Sequence, residues 1–150
     1  MFNALSSLDV VDGARVMDLY AGSGALGIEA LSRGAQHCVF VENNRDALVV
    51  LRKNLQSLGL TDRSVVMEKD AMGACATASP VDLVLADPPY GFEDWGKLLQ
   101  NCNAPIVVLE SNRQIGDVSG YSTIRERRYG RTFVAFLRHE ASSEGTVEAT

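Results

Sequence analysis

The sequence predicts an α/β sandwich with a mostly parallel sheet and one reversed edge strand. Short apolar runs alternate with segments of helical period from Arg15 to Leu109. A Gly-rich turn, Gly22-Ser23-Gly24, joins the first apolar run to the first helical segment. The chain then closes on two consecutive β-rich runs around Tyr129-Gly130-Arg131, which is a hairpin and not another crossover. With 150 residues, 46% of them hydrophobic and 22% charged, one domain with a sizeable core is expected.

The elements follow in order. Phe2, Leu5 and Leu8 recur at helical spacing, so a helix is expected over residues 1–8. Asp12-Gly13 turns the chain into a first strand, Arg15 to Tyr20, and the first helix spans Ala25 to Arg33, with Gly34 placed for a left-handed cap. Cys38 to Val41 is the second strand, ended by Glu42. Asn44 can cap a helix over Arg45 to Leu58, whose buried stripe would be Leu48, Leu51, Leu55 and Leu58. Strands at Ser64 to Met67, Val81 to Ala86 and Ile106 to Leu109 continue the sheet, and Phe92 to Gln100 is expected to be a helix with Trp95, Leu98 and Leu99 inward. Tyr121 to Arg128 and Thr132 to Arg138 form the hairpin. The domain is expected to span residues 1–138, and 139–150, small, polar and acidic, a disordered tail.

Composition removes several function classes. No apolar run reaches the roughly 18 residues of a membrane span, and no secretory leader pattern opens the chain, so a cytoplasmic protein without a membrane partner is expected. Cys38, Cys75 and Cys102 lack the spacing of a zinc site or disulfide framework and read as small core residues, and no metal is expected. His37 and His139 read as strand-edge polar residues. The net charge of −5 argues against broad electrostatic binding to nucleic acid, but charge is unevenly placed: residues 113–138 carry six Arg against Asp117 and Glu126.

The chemistry concentrates in two loops. Gly22-x-Gly24-x-x-Gly27 matches the dinucleotide fingerprint taken literally. Asp18 separates the ligands. Facing a pyrophosphate about 4 Å away, its carboxylate would be repelled by roughly 1 kcal/mol per charge pair in water and about 4 at an effective dielectric near 20. A cationic ligand, S-adenosylmethionine (SAM), suits it better than NAD, and a ligand-free tight turn is the plainer alternative. Glu42 ends the second strand about twenty residues on, where a carboxylate can accept both ribose hydroxyl protons. Asp70 follows the third strand, near where an adenine would lie, though a helix N-cap accounts for it equally.

The second loop is Asp87-Pro88-Pro89-Tyr90. Two prolines stiffen it and leave carbonyls free, so the Asp87 carboxylate and the Pro88 carbonyl can hold both hydrogens of an amino group. Tyr90 offers a ring on which a base can stack, at about 1–3 kcal/mol. Arg125, Arg128 and Arg131 are candidate phosphate contacts, with a charge-protected edge strand as the alternative.

With both loops in place, the sequence resembles the class I SAM-dependent methyltransferases, whose fold is a Rossmann-like α/β/α sandwich on a seven-stranded sheet. More narrowly it is similar to the bacterial 16S rRNA guanine-N2 methyltransferases of the type called small subunit methyltransferase D. Asp18-Leu-Tyr-Ala-Gly-Ser-Gly-Ala-Leu-Gly27 and Asp87-Pro-Pro-Tyr90 carry the broad resemblance, while Glu29-Ala-Leu-Ser-Arg-Gly-Ala35, Phe40-Val-Glu42 and Arg128-Tyr-Gly-Arg-Thr132 narrow it. The resemblance implies that Asp18, Tyr20 and the backbone of Ala21, Gly22, Ser23 and Gly24 hold the methionyl end of SAM. Glu42, with Asn43 beside it, would take the ribose, Asp70 and the Ala71 amide the adenine, and Asp87, Pro88, Pro89 and Tyr90 a flipped guanine. It implies 16S rRNA or the small ribosomal subunit as partner and a monomeric enzyme. Family members begin with a basic segment before the Phe-Asn helix, which this sequence does not include, so RNA binding is expected to lack that arm. A non-catalytic SAM-binding core and an adenine-N6 methyltransferase are the rival readings; an NAD-dependent oxidoreductase is disfavoured by Asp18.

Overall fold

The computed structural model describes residues 9–141. The helix expected over 1–8 and the tail from 142 onward lie outside the described residues. Seven strands form one sheet: β1 (Arg15–Leu19), β2 (His37–Glu42), β3 (Ser64–Glu68), β4 (Leu83–Ala86), β5 (Ile106–Ser111), β6 (Tyr121–Tyr129) and β7 (Thr132–His139), in the order β3-β2-β1-β4-β5-β7-β6. All pairings among β1 to β5 are parallel, and β7 is antiparallel to both β5 and β6. The antiparallel edge expected from the sequence is therefore the hairpin, with the reversed strand β7 inside and β6 outermost. β7 runs through His139, one residue past the expected domain boundary.

Period-two alternation divides the core between the sheet's two faces. Val16, Phe40, Leu83, Leu85, Val108, Val134 and Phe136 face one way, against α1 (Ala25–Ser32) and α2 (Arg45–Ser57). Met17, Leu19, Val41, Val84, Val107, Leu109 and Leu137 face the other, against the short α3 (Ala74–Thr77) and α4 (Trp95–Leu98). The Asn44 side chain accepts from the Ala47 amide at 2.9 Å and starts α2, which buries Leu48, Leu51 and Leu55. Leu58 departs from the expected stripe and is 58% exposed, because α2 stops at Ser57 and the chain turns at Gly59, which has φ 68°. The helix expected over Phe92 to Gln100 forms only from Trp95 to Leu98; Trp95, Leu98 and Leu99 are nevertheless buried. Cys75 lies within α3 and the buried Cys102 follows α4, 27 residues on in the chain.

Gly27 sets how closely α1 can lie on the sheet. A Cβ there would stand 2.4 Å from Cε1 of Phe40 and 2.7 Å from Sγ of Cys38, both fully buried. Gly27→Ala is expected to destabilise the fold by about 1–3 kcal/mol, since an added methyl must displace a packed ring. Urea unfolding checks it, and a variant as stable as the parent would contradict this packing.

Candidate functional site

The strand order reverses direction at β1, which lies between β2 and β4, and ligands of open α/β sheets bind where the order reverses. The register aligns Leu19 with both Val41 and Ala86, and Ala86 with Leu109. The next positions, Glu42, Tyr20, Asp87 and Glu110, therefore stand side by side along the carboxyl edge of four neighbouring strands. Tyr20 leaves the strand with φ 58°, and its ring meets Phe92 edge-on at 5.8 Å, which in turn meets Trp95 at 4.9 Å.

Asp18 lies beneath the Gly-rich turn, not on its rim. It is 1% exposed; its Oδ2 accepts from the Gly27 amide at 3.0 Å, and its Oδ1 is buried with no partner among the described residues. Burial pushes its carboxyl up to about 7, and the Asp87 and Glu42 charges add to that, while the Gly27 N–H opposes it. An orphaned, buried acceptor at this place suits a positive ligand seated on the turn, whose charge would offset the desolvation.

Glu42 does more than end β2. Its Oε1 accepts from the Gly22 amide at 2.8 Å, and its Oε2 from the Asn43 and Asn44 amides at 3.1 and 2.9 Å. It thus ties the Gly-rich turn to the neighbouring loop, and its remaining lone pairs are what a ribose diol could use. Gly24, φ 92°, is the N-cap of α1, so Ser23 does not cap that helix; the Ser23 carbonyl instead accepts from Nδ2 of Asn54 at 3.0 Å. Ala21 is buried and donates its amide to Val41 at 3.0 Å. Asp70 does not cap α3 either: its Oδ1 accepts from the Met72 amide at 3.0 Å, shaping the loop before the Gly73 cap, with Ala71 buried beside it.

The Asp87 to Tyr90 loop stands next to this turn. Asp87 and Pro89 are exposed, Pro88 is buried, and Tyr90 is 88% exposed. Burial raises the Asp87 carboxyl above its ordinary value. The Gly91 amide donates to Oδ1 of Asn112 at 2.9 Å, and Phe92 donates to the Pro89 carbonyl at 3.2 Å, so the loop is held from both sides. A cleft of about 300 Å³ opens here, lined by Asp87, Pro88 and Tyr90 on one side and Glu110, Asn112 and Thr132 on the other. Glu110 and Asn112 were not among the candidates read from the sequence. Glu110 carried a usable signal, as an acid ending a parallel strand in the way Glu42 does, but Asn112 carried none.

The arginines do not share one face. Arg125 pairs with Phe136 and Arg128 with Phe133, an odd spacing that sends the two side chains to opposite sides of the sheet. Arg128 donates from Nε to the Gly130 carbonyl at 2.9 Å and lies 5.2 Å from the Phe133 ring centroid. Arg128 and the exposed Arg131 border the hairpin turn, at the same carboxyl edge as Asp87, whereas Arg125 sits further back along β6.

The profile of the family described as conserved hypothetical protein 95 matches residues 1–138. The chain belongs to that family. Over 141 residues it is 35% identical to "Putative rRNA methyltransferase YlbH" of Bacillus subtilis, covering 85% of this chain and 77% of the relative. It is 30% identical over 158 residues to the ribosomal RNA small subunit methyltransferase D of Escherichia coli, covering 99% and 79%. A solved structure of a conserved hypothetical protein from Streptococcus pyogenes superimposes with a TM-score of 0.81 at 28% identity, over 95% of this chain and 97% of that one. The resemblance to the small subunit methyltransferase D enzymes therefore stands, and with it the Rossmann-like fold class. Within this family member, no helix among the described residues is long and apolar enough to cross a membrane.

The elevated Asp18 carboxyl has a measurable consequence for stability. An acid whose folded value of about 7 exceeds its ordinary 3.8 keeps its proton in the folded state while the unfolded chain releases it. Stability is then lost as pH rises between those values. Asp18→Asn removes this loss, so its stability relative to the parent is expected to improve by on the order of 3 kcal/mol from pH 5 to pH 8, at about 1.4 kcal/mol per unit up to pH 7. Urea titrations at both pH values measure it; a difference independent of pH would show that Asp18 does not titrate in this way.

Proposed function

We propose that this protein transfers a methyl group from S-adenosylmethionine to the exocyclic N2 amine of a guanine in 16S rRNA, in the free RNA or the small ribosomal subunit. The observation that carries the reading is the juxtaposition of two loops at the point of strand reversal: the Gly-rich turn over Asp18, and Asp87 to Tyr90 with its open cleft. The similarity to rRNA methyltransferases supports RNA as the substrate class.

The residues fit the cofactor. The Ala21 to Gly24 backbone and the buried Asp18 charge would receive its cationic end, Glu42 the ribose, and Asp70 with the Ala71 amide the adenine. When bound, the cofactor supplies a methyl group on a positive sulfur, which keeps the C–S electron pair and becomes neutral as the nitrogen lone pair forms the new C–N bond.

The protein's own contribution is positioning. An exocyclic base amine is a poor nucleophile because its lone pair is delocalised into the ring. The Asp87 carboxylate and Pro88 carbonyl would accept its two hydrogens and aim the lone pair out of the base plane. Asp87 or water takes the surplus proton. Tyr90, almost fully exposed, would stack on the extruded base and offset its unstacking, a cost of a few kcal/mol. Arg128 and Arg131, at the same edge, would hold flanking phosphates.

Asp87→Ala is expected to lower methyl transfer to unmodified small subunits at least about a hundredfold while leaving SAM affinity within a few-fold. A labelled-methyl assay with calorimetry reads both, and equal activity of variant and parent would sink the mechanism. Arg131→Ala is expected to weaken RNA binding and flatten the dependence of log affinity on log salt by about one unit. An unchanged slope would remove Arg131 from the interface.

A further inference from the structure

We propose that Glu110 and Asn112 make the cleft a reader of guanine, Glu110 accepting the ring N1–H and Asn112 donating to O6 while Asp87 holds the N2 amine. The inference rests on the reading of Asp87 as the group that receives the target amine, and names what distinguishes one base from another there.

Asp87 and Glu110 occupy consecutive positions across β4 and β5, because Ala86 and Leu109 are register partners and each acid follows its partner directly. Both line the same cleft. No side chain or amide among the described residues donates to the Glu110 carboxylate, and burial together with the Asp87 charge raises it above its ordinary value. Two neighbouring acceptors with no donor between them among the described residues suit a ligand edge that presents adjacent N–H groups. Asn112 adds the complementary group. Its Oδ1 is taken by the Gly91 amide at 2.9 Å, which orients the carboxamide and leaves Nδ2, a donor, without a partner among the described residues. The cleft therefore presents two acceptors, from the ends of β4 and β5, and one donor, from the residue just past β5.

The Watson–Crick edge of guanine is the complement of that set: the N2 amine and N1–H donate, and O6 accepts. Adenine fails at the second acceptor. Its N1 is an acceptor beside the amine, so an ionised Glu110 would face a lone pair instead of a proton. A site built to hydrogen-bond a particular group rejects an analogue lacking it by leaving its own buried polar atoms unpaired. The Asp87 to Tyr90 loop alone would accept either base's amine, and Glu110 supplies the discrimination.

The test uses the full chain at pH 8 and a 16S rRNA fragment carrying the methylated position, assembled with either guanosine or 2-aminopurine riboside there. 2-Aminopurine keeps the 2-amine but lacks N1–H and O6. The parent is expected to prefer guanosine by at least a hundredfold in kcat/KM. In Glu110→Gln that preference should fall at least tenfold, with SAM affinity and unfolding midpoint reporting that the variant is folded. A parent that methylates both fragments equally overturns the inference without recourse to any variant, as does a folded Glu110→Gln that keeps the parent's preference. A parent that methylates an adenine amine, and not guanine N2, overturns the functional reading itself, which the identity of the methylated nucleoside distinguishes from the other two results.

Discussion

Negative charge crowded along one sheet edge is the constraint to which the rest of this structure answers. Glu42, Asp87 and Glu110 share one level of the carboxyl edge, and Asp18 lies two residues beneath it under the Gly-rich turn, with one oxygen satisfied and the other unpartnered among the described residues. Each raises or is raised by a neighbour: Asp18 by Asp87 and Glu42, Glu110 by Asp87. Like charges brought together and partly desolvated cost stability. Main-chain amides offset part of that cost at Glu42 and Asp18, and a cationic cofactor and a base with adjacent N–H groups would offset the rest. The edge is thus least favourable when empty of ligand, which is how a binding site differs from a core.

Rigid packing keeps that arrangement in place. Gly27 lets α1 lie against Phe40 and Cys38 and presents its amide to Asp18, so one glycine serves both the helix–sheet contact and the buried charge. Glu42 fastens the Gly-rich turn to the end of β2, and Asn112 fastens the second loop to the end of β5. Neither loop depends on its own sequence alone for its shape. The aromatic contacts from Tyr20 through Phe92 to Trp95 join the two loops on the opposite face, so movement of one would be felt by the other.

Much of this was legible in the chain. The alternation of apolar runs and helical segments placed all seven strands within a residue or two, since a buried parallel strand must be nearly all apolar and each crossover must bring a helix. Leu58 and the short α4 departed because periodicity records which residues could face the core, not where a cap or a loop ends the helix. The Gly-rich turn and the Pro-Pro loop were visible because their backbone requirements restrict residue type. The arginine grouping was legible in part: Arg125 and Arg128 are three apart on an expected strand, which separates them across the sheet, whereas the place of the hairpin turn beside Asp87 follows from the pairing of β5 with β7.

The sequence by itself determined the fold class, the two loops and the carboxylates that end the strands, because each follows from local rules of period, glycine and proline. Only the tertiary structure decided that Asp18 is buried beneath the turn instead of facing outward, that Glu42 spends its oxygens on backbone amides, and that Glu110 and Asn112 border the same cleft as Asp87. The physical reason is register. Which residues meet across β2, β1, β4 and β5 is set by the pairing of strands distant in the chain, and no window of sequence contains that pairing.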